Sequence, residues 1–242
     1  MAKHPDWVEQ GYSQTLYPLI SKILRSAFGW IPFSVGDLLY FTLGILAIRY
    51  CFRHRNKIIK KPLGFLRDIG MVLAIVFFVF HLFWGMNYHR QPLADHLQIK
   101  ADYTTETLLR FTEHLVKHTN LYHVRVTGDS LEPVHLDQKN HLIYKTSIRG
   151  YGQLKKQHEQ FYYRPASIKN SVFSLPLSYM GYGGYFNPFT GEAQVNALIP
   201  KFRLATISAH EIGHQLGYSA EDATNFIGFL AARSNPDPVH RY

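Results

Sequence analysis

Residues 69–88 contain no Asp, Glu, Lys or Arg, and that run limits the possible folds more than any other part of the chain. About twenty residues in a helix cover about 30 Å, the depth of a bilayer's hydrocarbon core. Val72, Leu73, Ile75, Val76, Phe77, Phe78, Val79, Phe80, Leu82 and Phe83 would be apolar on every side of that helix, as a membrane span requires. His81 and Asn87 are its polar exceptions, and Trp84 and Tyr88 suit the aromatic belt at a membrane surface. A second span is expected over residues 31–52, around Leu38, Leu39, Tyr40, Phe41, Leu43, Ile45, Leu46, Ala47 and Ile48. Asp37 near its start reads either as an interfacial residue or as a buried polar contact to the neighbouring helix, the interfacial reading being the safer.

Between the spans the sequence predicts a basic loop carrying Arg49, Arg53, Arg55, Lys57, Lys60, Lys61 and Arg67, with no acid before Asp68. A formal net charge of +9 invites a nucleic-acid partner, but a basic run between two spans follows directly from the positive-inside rule. Nucleic acid is therefore not expected, the loop is cytoplasmic, and both chain ends lie on the opposite side. Residues 1–30 have no secretory-signal pattern. They read as an amphipathic segment on the outer membrane surface or as structure packed on the other helices. Cys51 is the single cysteine and has no internal disulfide partner.

The remainder, residues 89–242, is long enough for one folded domain. The expected class is α+β, predominantly helical, with the transmembrane hairpin preceding an extracytoplasmic domain. Helices are expected over 105–118 and 148–162, and short strands at 124–126 and 141–144. Residues 192–196 alternate as an exposed edge strand, able to receive an extended peptide by strand addition. The aromatic, glycine-rich residues 179–191 precede it, and neither Tyr182 nor Tyr185 is given a catalytic role. His114, His118, His123, His135 and His141 follow no metal-ligand spacing.

The chemistry concentrates at His210-Glu211-Ile212-Gly213-His214. Residues 202–209 ahead of it hold no helix breaker, so His210 and His214 fall one turn apart on one helix face. Imidazoles so placed hold one Zn²⁺ at about 2.0–2.1 Å each. Glu211 is then the general base. Ile207, Ile212 and Leu216 give the helix a face to bury, and Gly217 is its stop. Ser219 with Asp222 resembles a capping box opening a second helix that runs to about Ala232. That puts Glu221 near the histidines as third ligand, with Asp222 the alternative, and Asn225 one turn on, able to hydrogen-bond a ligating ring. Ala220 occupies the place of the metzincin third histidine and cannot bind metal.

Nearly the whole chain resembles the bacterial membrane-protein family DUF3810. The resemblance rests on Tyr17-Pro18, Pro32-Phe33-Ser34-Val35-Gly36-Asp37, Trp84-Gly85-Met86-Asn87-Tyr88, Pro188-Phe189-Thr190-Gly191-Glu192-Ala193 and His210–Gly217. Glu221-Asp222 and Asn225-Phe226 fit the family's Glu-Asp-Glu-Ala-Asn-Phe block, from which Ala223 and Thr224 depart. If the family's second Glu were the ligand, Ala223 would leave this chain without it. The resemblance implies a zincin-like metallopeptidase, anchored in the bacterial inner membrane with its catalytic domain outside the cytoplasm, and members longer at both ends than this chain. The expected function is hydrolysis of peptide bonds with Zn²⁺ held by His210, His214 and Glu221. The competing expectation is a non-catalytic membrane scaffold with a structural or degenerate zinc site.

Overall fold

A computed structural model describes residues 4–99 and 102–242. Helices dominate, in the order α1 (Pro5–Val8), a π-helical run (Glu9–Leu16), α2 (Tyr17–Phe28), α3 (Val35–Lys60) and α4 (Pro62–Phe83). These are followed by α5 (Leu93–His96), α6 (Thr105–Thr127), α7 (Asn140–Leu154), β1 (Ile168–Asn170), α8 (Ser174–Met180), β2 (Gly184–Asn187), β3 (Glu192–Val195), α9 (Lys201–Gln215), α10 (Glu221–Arg233) and α11 (Pro238–Arg241).

The two helices long and apolar enough to cross a membrane are α3 and α4, at about 39 and 33 Å by helical rise. Both are longer than the expected spans, and the basic loop is a correction. Only Lys61 separates the helices, so Arg49, Arg53, Arg55, Lys57 and Lys60 ride on the end of α3 and Arg67 on α4. Lysines in the last turn of α3 suit its negative dipole end, and Pro62 starts α4 where no N–H is needed.

The small sheet has strand order β1-β3-β2. Strand β3 pairs parallel with β1, Ile168 opposite Ala193, and antiparallel with β2, Tyr185 opposite Gln194. The strand expected at an exposed edge is thus the central one, buried along its whole length. Its alternation is of buried polar and apolar groups, not of solvent and core. Helix α9 packs against α7, α10 and the β2–β3 pair. Leu204, Ile212 and Ile227 are completely buried there, each contributing about 1.5–3 kcal/mol.

Residues 124–126 and 141–144, expected as strands, are helical. The first group continues α6 to Gly128, whose φ of 79° ends it in the left-handed conformation that glycine permits. The second begins α7, where Ile143 and Tyr144 pack with Val195 and Leu204, so burial overrides β propensity. Helix α7 also stops at Leu154, short of the expected residue 162. Gly150, which weakened that helix on propensity grounds, is needed for packing: a Cβ there would collide with the Ala231 carbonyl of α10.

The first thirty residues do not merely rest on a surface. Tyr17, Ser21 and Arg25 of α2 are buried, Val8, Tyr12, Tyr17 and Trp84 cluster together, and the Tyr12 hydroxyl donates to the Leu82 carbonyl at 2.9 Å. Asp37, expected at the interface, is fully buried. It accepts from the Val172 N–H at 2.6 Å, from Ser171 Oγ at 3.0 Å and from the Tyr185 hydroxyl. Its partners belong to the segments around β1 and β2, not to the neighbouring helix α4.

Candidate metal centre

Helix α9 ends in a left-handed glycine cap. Gly217 has φ 87°, its N–H donates to the His214 carbonyl at 3.0 Å, and the Tyr218 N–H donates to the Gly213 carbonyl at 3.2 Å, closing the Schellman pattern. The remaining terminal carbonyls are met by side chains from far away in sequence. Trp84 Nε1 donates to His214 O at 3.1 Å, while the Tyr17 hydroxyl and Ser21 Oγ both donate to Gln215 O at 2.9 Å. The Gln215 side chain is itself buried, donating to Ser167 O and Gly191 O and accepting from the Tyr163 hydroxyl. The segment that presents the two histidines is therefore fixed from below by the end of α4 and by α2.

His210, His214 and Glu221 come together, their ligand atoms all within 4.8 Å of one another. The two Nε2 atoms are 3.1 Å apart, and Glu221 lies 3.2 Å from the first and 3.5 Å from the second. His214 Nδ1 donates to the Tyr218 carbonyl at 2.8 Å, and His210 Nδ1 faces Asn225 Oδ1 at 2.9 Å. With each Nδ1–H committed to an oxygen, neutral rings turn both Nε2 lone pairs toward the carboxylate. Burial first, and the adjacent His210 ring, hold the His214 pKa below its usual 6.5, the direction that keeps it neutral. Tetrahedral zinc with bonds of about 2.0–2.2 Å separates neighbouring ligand atoms by about 3.3 Å. The three observed separations straddle that value, so these residues fit the ion.

Asp222 points elsewhere and accepts from the Ala223 N–H at 2.8 Å. Ala223 packs against the cluster of Leu93, Ile212 and Ile227, so its departure from the family block falls on the core side of α10 and removes nothing from the trio. The expected capping box is absent: the residue before α10 is Ala220, with no side-chain cap, and Ser219 Oγ instead donates to Asn87 O at 2.9 Å. Ser219 serves the join between the end of α4 and the turn after α9.

Glu211 is buried, and among the described residues its Oε2 has no hydrogen-bond partner. Burial, followed by the charge of Glu221, pushes its carboxyl well above the usual carboxylate range. Strand β2 lies directly on it: a Cβ at Gly184 would sit 2.9 Å from Glu211 Oε1 and 2.8 Å from Gln194 O. No side chain fits between that strand and the motif helix, which explains the glycine. On its other side β2 has no strand partner among the described residues. Glu221 is 73% exposed, so the trio opens to the surface.

Sequence reading singled out His210, Glu211, His214, Glu221 and Asn225, and the structure brings His210, His214 and Glu221 together with Asn225 against the His210 ring. It missed the supports: Tyr17, Ser21, Trp84, Gln215 and Gly184. Their only sequence signal was membership of, or closeness to, the unusual blocks flanking the spans and the motif.

A family model described as "Protein of unknown function (DUF3810)" matches residues 12–242. No curated protein and no solved structure matches the chain.

Proposed function

The chain belongs to the DUF3810 family, whose function is unknown, and from its site we propose that it is a membrane-anchored, zinc-dependent peptidase. One observation carries this reading: two imidazole lone pairs and a carboxylate converge at zinc-like separations, each ring oriented by its own Nδ1 partner. Three acceptors gathered in this way repel one another unless a proton or a metal cation joins them. Zn²⁺ held by His210, His214 and Glu221 would supply Lewis-acid chemistry and an acidic water there.

The protein's own groups supply the rest. The charge of a bound cation would favour the ionised form of Glu211, which is buried with one oxygen unpaired and then takes a proton from the attacking water and returns it to the departing amine. Strand β2, rather than β3, offers the free edge to an extended peptide, whose backbone pairs beside Glu211. Tyr185 is committed to Asp37 and leaves the substrate to the backbone. The packing of α9 beneath β2 and β3 supports a zincin-like arrangement. Structural zinc sites close with four protein ligands, whereas three groups converge here among the described residues, which favours catalysis over a scaffold role.

The membrane part of the proposal rests on α3 and α4. Their junction carries the basic residues, which the positive-inside rule assigns to the cytoplasm. The opposite ends of both helices join the folded domain, so the metal centre lies on the extracytoplasmic face of the bacterial inner membrane. Metal analysis of the purified chain tests the proposal, with about one zinc per chain and chelator-sensitive cleavage of envelope peptides expected. A chain that binds no zinc, or cleaves equally well after chelation, would overturn it.

A further inference from the structure

A second site lies behind the metal centre. A cleft of about 730 Å³ opens between α2, the start of the chain and the turn after α9, with Gln215 and Tyr218 in its wall. Its volume is in the range of small-molecule sites. Arg25, in the last turn of α2, lines it and is only 4% exposed. The guanidinium is held by Nε bonds to Ser21 and by Nη1 donating to Pro165 O at 2.6 Å, and it stands 4.9 Å from the centre of the Tyr163 ring. Its remaining N–H groups are not sealed off without a partner, and they border the cleft. An arginine held rigidly by Ser21 and Pro165 at the wall of a cleft is pre-organised to receive an oxyanion there.

The charge around it favours such an oxyanion. Lys22 and Arg164 also line the cleft from exposed positions. Of the acids there, Glu9 is already engaged by Arg90 at 2.6 Å, and Glu159 is exposed at the rim. The cleft is therefore net positive, with a forked donor at its base suited to a phosphate. Trp30 and Phe33, between Arg25 and the first residue of α3, are 78% and 52% exposed, as aromatics at a bilayer interface are. If α3 crosses a bilayer, this connection after Arg25 places the cleft near the headgroup layer.

We propose that this cleft binds an anionic phosphate group, presented by a phospholipid headgroup, against Arg25, Lys22 and Arg164. The site is independent of the peptidase reading. Its occupant lies against the turn whose Tyr218 carbonyl orients His214.

The test uses the full chain in uncharged detergent, titrated with short-chain phosphatidylglycerol, short-chain phosphatidylcholine and inorganic phosphate, with binding read by calorimetry. Saturable binding of phosphatidylglycerol, at least tenfold weaker in Lys22→Gln/Arg164→Gln, is expected. Both of those side chains are exposed, so the double variant keeps its fold, and circular dichroism verifies this. Arg25→Gln should lose the binding completely. Inorganic phosphate binding as tightly as the lipid would keep the phosphate site and identify free phosphate as its source. No binding of either anion, equal binding of phosphatidylcholine, or equal binding by the double variant would overturn the proposal.

Discussion

The indole N–H of Trp84 donates to the main-chain carbonyl of His214 at 3.1 Å, joining the residue that caps an apolar helix to a candidate metal ligand 130 residues away in sequence. Trp84→Phe keeps the ring and deletes the donor. The carbonyl keeps the Gly217 N–H, so the cost is that of one hydrogen bond, about 0.5–1.5 kcal/mol. Thermal unfolding should show the loss, and a full loss of folding would mean that the ring packing matters more than the hydrogen bond.

Asn225→Ala should weaken zinc binding about ten- to a hundredfold while leaving the fold intact, because Asn225 is exposed and its contact here is to His210 Nδ1. Competition against a chelating dye measures this. Unchanged affinity would show that Asn225 does not orient the ring.

Glu211→Gln preserves the side chain's shape but cannot accept a proton. Zinc content should stay near one per chain while peptide cleavage falls by about 10²–10⁴. Cleavage at the wild-type rate rejects Glu211 as the base.

Gly184→Ala forces a methyl group against Glu211 Oε1 and Gln194 O. Cleavage should fall sharply with zinc retained. Gly152→Ala is the control: nothing lies within 4 Å of its added Cβ, and alanine in an exposed helix position should stabilise by about 0.5–1 kcal/mol. Equal activity in the two variants would separate β2 from the chemistry.

The Glu9–Arg90 pair gives a pH signature. Burial raises the Glu9 carboxyl, but the hydrogen-bonded Arg90 charge outweighs it and holds the pKa below its ordinary 4.5. A depressed carboxylate stabilises the fold above the unfolded pKa and loses that contribution as pH falls through the folded one. Arg90→Gln should cost about 3–5 kcal/mol near neutrality. The gap between wild type and Glu9→Gln should close below pH 4.5. Denaturation at a series of pH values checks the direction, and a gap that widens in acid contradicts it.

The His210–His214–Glu221 cluster was legible because helical spacing is local: His210 and His214 are one turn apart, and Glu221 and Asn225 follow one short turn later. Elements whose state depends on distant packing were not. Residues 124–126 have strand-like composition but extend α6, and residues 192–196 read as an edge although β1 and β2 flank them. Ser219 carries a capping residue's chemistry yet is drawn to Asn87. The largest omission was a set of pairings more than 100 residues apart. Glu192 accepts the N–H groups of Val35 and Gly36 and lies 3.4 Å from Lys169, which itself donates to Phe28, Ile31 and Phe33 carbonyls. No periodicity announces such a group.

That buried carboxylate seated on the first N–H groups of α3 leaves no slack where a tether would ordinarily be. If the hairpin crosses the bilayer and the site cleaves peptides, both as proposed, the cutting edge stands at a set height above the lipid, and the protein works as a ruler. A substrate rooted in the same leaflet would be clipped at a constant number of residues from its own anchor, whatever its local sequence.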